Sequence, residues 1–97
     1  MKTGKFKLGQ IIATTPALKA FERTGEMPIT FLARHARCDW GTVDAEDRQA
    51  NDDALQIGSR IWSAYRLKDG TKIWIITEAT DDKGNRNSTC VLLPDDY

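Results

Sequence analysis

The sequence predicts an α+β domain: three helices followed by a C-terminal three-stranded antiparallel β-meander, with a short N-terminal strand added. Three observations carry that reading. Arg60–Leu67 and Thr71–Glu78 are rich in β-branched and aromatic residues and are separated by Asp69-Gly70. That dipeptide between such runs signals a two-residue type I′ hairpin. The first 58 residues repeat helix starts and stops instead: Thr15-Pro16, Pro28 and Asp44 open segments, and Gly25 and Gly58 close two of them. Finally, Asn87–Leu93 reads as a third strand ended by Pro94.

Along the chain, Lys2–Lys7 is polar and basic, and Gly9–Ala13 with Ile11-Ile12 reads as a short strand. In the first helix Leu18 and Phe21 share a face. In the second, Ile29, Leu32, Ala33 and Ala36 follow the helical period up to Arg37-Cys38, where Asp39-Trp40-Gly41 turns the chain. Asp44 caps the third helix with Asp47 at the capping-box position, and Ala50, Ala54, Leu55 and Ile57 form a thin apolar stripe. The two-residue turn sets a register that pairs Lys68 with Thr71 and Tyr65 with Trp74. One face of the hairpin then carries Ile61, Tyr65, Trp74 and Ile76, and the other Trp62, Ala64, Ile73 and Ile75. Both faces are apolar. Either helices cover one and a partner the other, or the helices wrap an edge.

A chain of 97 residues fits one domain. Its 40% hydrophobic and 29% charged residues are those of a globular protein. No secretory signal and no apolar run near the ~18 residues of a membrane span is present, so a cytoplasmic protein is expected. Cys38 and Cys90 then read as free thiols. A net charge of zero argues against strong nonspecific nucleic-acid binding. The zero hides a polarity: residues 1–37 hold 7 basic and 2 acidic side chains, and residues 38–97 hold 7 and 12. Those charges either interleave on the surface or form an acidic face.

His35, Cys38 and Asp39 form the one local cluster of ligand or acid–base groups. Helical spacing would put them on one face, but no zinc pattern, phosphate loop or nucleophile elbow accompanies them. The alternative is a helix end, with His35 near the last carbonyls and Asp39 on local N–H groups. No catalytic residue, metal or cofactor is assigned. Trp40 is expected to pack across a helix–sheet junction, and Trp40 and Trp62 are the candidate aromatic anchors of a protein interface. Lys2, Lys5, Lys7, Arg34 and Arg37, with Phe6 among them, make a weak basic patch. Asp44, Glu46, Asp47, Asp52 and Asp53 form either a solvated helix face, with pairs such as Arg48–Asp52, or a surface that imitates a phosphate backbone.

The segments Arg34-His35, Asp39-Trp40-Gly41, Glu46-Asp47 with Ala50-Asn51, Ser63-Ala64-Tyr65, Gly70–Glu78 and Val91–Pro94, with Leu8–Thr14 and Pro16, resemble a widespread family. It consists of small bacterial proteins of unassigned function, often labelled "plasmid-related", on plasmids, phages and integrative elements. The resemblance covers most of the chain. Two positions depart from it: Cys38 stands where the family has glycine, which argues against a shared tight turn before Asp39, and Asp81–Asn87 is longer. The resemblance implies an accessory protein of a mobile element and names no chemistry. Together with the acidic helix it gives the leading expectation: a non-enzymatic protein that binds and inhibits a host protein or protein–nucleic acid complex, of the CRISPR or restriction kind. A nucleic-acid-binding regulator and an enzyme using His35 and Asp39 are the alternatives. The two-sided hairpin also fits a homodimer.

Overall fold

The computed structural model describes residues 5–97, so Lys2 of the basic patch lies outside the described residues. The chain runs β1 (Gln10–Ala13), α1 (Thr15–Thr24), α2 (Pro28–Ala36), α3 (Ala45–Ile57), β2 (Ile61–Arg66), β3 (Lys72–Thr77) and β4 (Ser88–Leu92), then a 3-10 turn at Pro94–Asp96. The three helices form as expected, although α1 is capped by Thr14 rather than Thr15, which lies inside the helix, and α2 begins at Pro28 with no side-chain cap. Thr14 accepts from the Ala17 N–H at 3.2 Å, and Asp44 from the Asp47 N–H at 2.8 Å. Gly25 and Gly58 end α1 and α3 in the left-handed conformation.

The expected purely antiparallel sheet is corrected. The four strands lie in the order β1-β4-β3-β2, and the sheet is mixed. β2–β3 and β3–β4 are antiparallel, but β1 runs parallel to β4, with Gln10 opposite Ser88 and Ala13 opposite Val91. The N-terminal strand therefore joins the outer side of the last one. A pairing across the whole length of the chain leaves no local sequence signal.

The hairpin register is also corrected. Tyr65 lies opposite Ile73 and Ala64 opposite Trp74, one residue from the expected pairing. The Leu67 N–H bonds to Thr71 O at 2.9 Å and the Gly70 N–H to Leu67 O at 2.9 Å. Gly70 has φ +88 while Asp69 does not enter positive φ. This is a three-residue loop with glycine in the bulge position, not a type I′ turn. α1 holds it in place: Arg23 bonds both Asp69 and Thr71 at 3.1 Å, and Glu26 accepts from the Lys68 N–H at 2.8 Å. Tertiary contacts have overridden the dipeptide's preference.

One residue of register decides which side chains share a face. Ile61, Ser63, Tyr65, Ile73, Ile75 and Thr77 now share one face, each 1% exposed or less, with Tyr65, Ile73 and Ile75 packed against α1 and α2 and Ile61 against Trp40, Val43 and Ala54. Full burial of side chains such as these isoleucines contributes about 1.5–3 kcal/mol each. Phe21, Phe31 and Leu32 close this core from the helix side. The expected stripe positions Leu18 and Ile29 are 49% and 62% exposed. The helices bury the expected Phe21, Leu32 and Ala36, together with Ala17, Ala20, Phe31 and His35. In α3 Ile57 is exposed, and Asn51 and Ala54 are the buried residues.

α3 covers the edge of β2 rather than a face. The Asn51 amide donates to Trp62 O at 2.7 Å and accepts from the Trp62 N–H at 3.1 Å. Further along the same edge, Ala64 N–H bonds to Trp40 O at 3.2 Å and Thr42 N–H to Ala64 O at 2.7 Å. Gly41 makes that approach possible. A Cβ there would lie 1.9 Å from Ala64 O, at φ +74.

Candidate functional site

Alternation along the strands places Trp62 and Arg66 of β2, with Lys72, Trp74 and Ile76 of β3, on the face turned away from α1 and α2, and Arg60 just before β2 joins them. The C-terminal turn folds back over this face. Trp62 and Trp74 meet edge to face at 5.1 Å, and Trp74 meets Tyr97 in the same way at 5.8 Å. The Arg60 guanidinium lies over the Tyr97 ring at 5.7 Å. Arg60, Trp62, Trp74, Ile76 and Tyr97 line a cavity of about 180 Å³. Both tryptophans are half-buried, and Tyr97 is 67% exposed.

A second depression, of about 370 Å³, shares Trp62 and Trp74 with the first and adds Asp44, Asp47, Arg66 and Lys72. An aromatic centre is thus ringed by charges of both signs. Partial desolvation first, and then the neighbouring Asp44 carboxylate, raise the Asp47 carboxyl above its usual range, while Trp62 acts the other way. Neither Asp44 nor Asp47 forms a salt bridge among the described residues.

The sequence-selected residues therefore separate. Asp44, Asp47 and Trp62 come together on this surface. Glu46 is exposed on the same first turn of α3, and Asp53 is exposed with Gln49 bonded to it at 3.0 Å. Asp52 accepts from the Trp40 indole at 3.1 Å rather than from Arg48, which bonds the Val43 carbonyl. Trp40 is 4% exposed, packed against Phe6 and His35. It sits at the helix–sheet junction as expected and is core, not an exposed anchor. Trp74, Tyr97 and Arg60 complete the surface and were missed. Trp74 was placed on the wrong face by the register, and Tyr97 carries no pattern at the chain end.

His35 and Asp39 do not act on each other. His35 is fully buried, its Nδ1 2.5 Å from Ser63 Oγ and its Nε2 2.8 Å from Thr77 Oγ1. The chain continues from Thr77 to Thr89 at 2.7 Å, and Thr89 donates to Leu8 O at 2.7 Å. Each hydroxyl has one proton, so this end fixes the rest. Thr77 donates to Thr89, Nε2–H donates to Thr77, and Nδ1 accepts from Ser63. His35 is the neutral Nε2–H tautomer, and burial lowers its pKa to about 4. Its partners are hydroxyls rather than the helix-end carbonyls the sequence suggested.

Asp39 instead accepts from Arg34 at 2.7 Å and from the Gly41 N–H at 3.3 Å. The hydrogen bond from Arg34 holds its carboxyl below the usual range. Arg34 also lies over the Tyr65 ring at 4.7 Å. Cys38, at φ +70, is the C′ residue of a Schellman motif: the Asp39 N–H bonds to Arg34 O and the Cys38 N–H to His35 O. The tight turn before Asp39 forms even with cysteine there, which corrects the expectation drawn from that departure. Burial raises both cysteine thiols, and they are free. No group of three or more His, Cys, Asp or Glu among the described residues is placed to hold a metal ion.

A further concavity, about 670 Å³, lies between the end of α3 and the Asp81–Asn87 loop, with Arg86 and Lys7 in its wall. The Arg86 guanidinium bonds the carbonyls of Ser59, Glu78 and Ala54 at 2.7–3.0 Å. It staples the C-terminus of α3 to the sheet and presents no free charge to the cleft.

No helix among the described residues is long and apolar enough to cross a membrane. Comparison of the chain with protein-family models, with curated proteins and with solved structures finds no match.

Proposed function

We propose that the chain is a non-enzymatic protein-binding protein that docks through the open sheet face. The observation that carries this reading is the Trp62–Trp74–Tyr97 cluster on the face turned away from α1 and α2, rimmed by Asp44 and Asp47 on one side and by Arg60, Arg66 and Lys72 around it. Protein interfaces favour such an arrangement, with aromatic and arginine anchors at the centre and polar groups at the rim. The two carboxylates in the rim, Asp44 and Asp47, weigh against a nucleic-acid platform, since they would repel a phosphate backbone. The burial of His35 and the engagement of Asp39 by Arg34 weigh against an enzyme using that pair.

The partner is a host protein or protein–nucleic acid complex, and the chain is an accessory protein of a mobile element that inhibits it. Support for that part comes from the family resemblance and from the exposed acids of α3. Those acids would meet a basic surface by charge complementarity.

Partner retention on the immobilised chain at rising salt tests the reading. Asp44 caps α3 and Asp52 holds Trp40, so reversal at either would disturb the fold as well as the charge. Glu46→Lys and Asp47→Asn avoid this. A retained protein should elute at lower salt from these variants than from wild type. Elution that is indifferent to both the salt and the variants would remove the electrostatic part of the proposal.

A further inference from the structure

The two edges of the sheet are treated differently. The β2 edge is closed by Asn51 and by the Trp40–Thr42 backbone. The outward side of β1 has no hydrogen-bond partner among the described residues. Gln10 and Thr14 direct their N–H groups to β4, bonding Asn87 O and Val91 O at 3.0 Å. By alternation Ile11 and Ala13 direct theirs outward. The strand contains no charge, no proline and no bulge, the devices that ordinarily blunt an exposed edge. Ile11 and Ile12 on it are 48% and 49% exposed.

We propose that β1 is a self-association edge, occupied by β1 of a second copy running antiparallel, so that two four-stranded sheets join into one of eight. The occupant follows from the segment's own symmetry. About a two-fold axis through Ile12, Ile11 and Ala13 stand opposite Ala13 and Ile11 of the second copy. All four outward N–H and C=O pairs are then satisfied. Ile12 meets its own counterpart in the closer, non-hydrogen-bonded position, and Gln10 meets Thr14. Apolar faces apolar, polar faces polar, and no charge is buried. A register centred on Ile11 would instead bring Gly9, at φ +67, into the ladder opposite Ala13. The Ile12-centred register uses Gln10–Thr14 and ends where Gly9 and the start of α1 end the strand.

The edge stands independently of the contact-surface reading, but it has a consequence for it. The axis is perpendicular to the sheet, so both aromatic faces point the same way. The two β3 strands lie five strand spacings apart, ~24 Å at ~4.8 Å each. A joined pair would present two contact surfaces to one partner.

Sedimentation velocity of the full chain over a range of concentrations tests this, with wild type beside Ile12→Lys. Wild type should pass from monomer to dimer as concentration rises, and a folded Ile12→Lys should stay monomeric throughout. The second test is Ile12→Cys in a Cys38→Ser, Cys90→Ser background, since Cys90 is the neighbour of Ile12 across β1–β4. A non-hydrogen-bonded antiparallel pair brings Cα atoms to ~4.5 Å, within disulfide range, so mild oxidation should give a covalent dimer. If Ile12→Lys fails to fold, this cross-link decides. A wild-type chain monomeric at every concentration, a dimer that survives Ile12→Lys, or a failure to cross-link overturns the proposal. Capture of an extended peptide by monomers would assign the edge to a different strand and overturn it equally.

Discussion

Asn51 stands against Trp62 as a neighbouring strand would. Its side-chain amide donates to Trp62 O at 2.7 Å and accepts from the Trp62 N–H at 3.1 Å, closing one residue of the β2 edge. Asn51 is 1% exposed, so the amide is held in the protein and shields these two Trp62 backbone groups. Asn51→Ala should therefore cost about 2–3 kcal/mol, the penalty for orphaning a buried donor and acceptor. Asn51→Asp keeps the acceptor but loses the donor, and should not rescue. Urea denaturation monitored by tryptophan fluorescence reads both.

Cys38 offers a change in the other direction. It is the one described non-glycine residue at positive φ. Holding an L-residue there costs about 1–2 kcal/mol, part of which glycine returns as unfolded-state freedom. Cys38→Gly should raise stability by about 1 kcal/mol. Cys38→Val should lower it, because a β-branched residue fits that conformation worst. Thermal unfolding of the three chains side by side gives the order.

His35 makes stability pH-dependent in a defined window. Its folded pKa of about 4 lies below the ordinary 6.5, so the unfolded chain binds the extra proton first. The contribution is intact above pH 6.5, declines as pH falls, and is spent below about 4. A difference of about two and a half units corresponds to about 3 kcal/mol. Carboxylates such as Asp39 and Asp69, held below their usual range, begin to lose their contribution only below about pH 5. Denaturation midpoints from pH 7 to 5 should fall for wild type and stay nearly flat for His35→Gln, which starts less stable.

The helices were legible because each start and stop is written in nearby residues: Thr15 with Pro16, one residue inside the actual cap at Thr14, Asp44 with Asp47, and the glycines at 25 and 58. The strands were legible from Val, Ile, Thr and Trp content. Register and topology were not, since both depend on contacts distant in sequence. Arg23 and Glu26 reach from α1 to the hairpin tip and select the three-residue loop. β1 finds β4 across the whole chain. The same limit applied to the candidate surface. Asp44, Asp47 and Trp62 were found from the acidic helix and the tryptophan count. Trp74 and Tyr97 needed the correct register and the return of the C-terminus.

The claim that the open face is a protein-contact surface is tested most directly by affinity enrichment from a host lysate after nuclease digestion. Wild type would be compared with Tyr97→Ala and Asp47→Asn, both of which leave the helix-side core intact. The account predicts a stoichiometric, nuclease-resistant protein partner whose affinity falls by about 30-fold with Tyr97→Ala, the ~2 kcal/mol of an interface anchor. A partner recovered equally by all three chains, or recovery of nucleic acid that nuclease abolishes, would contradict it.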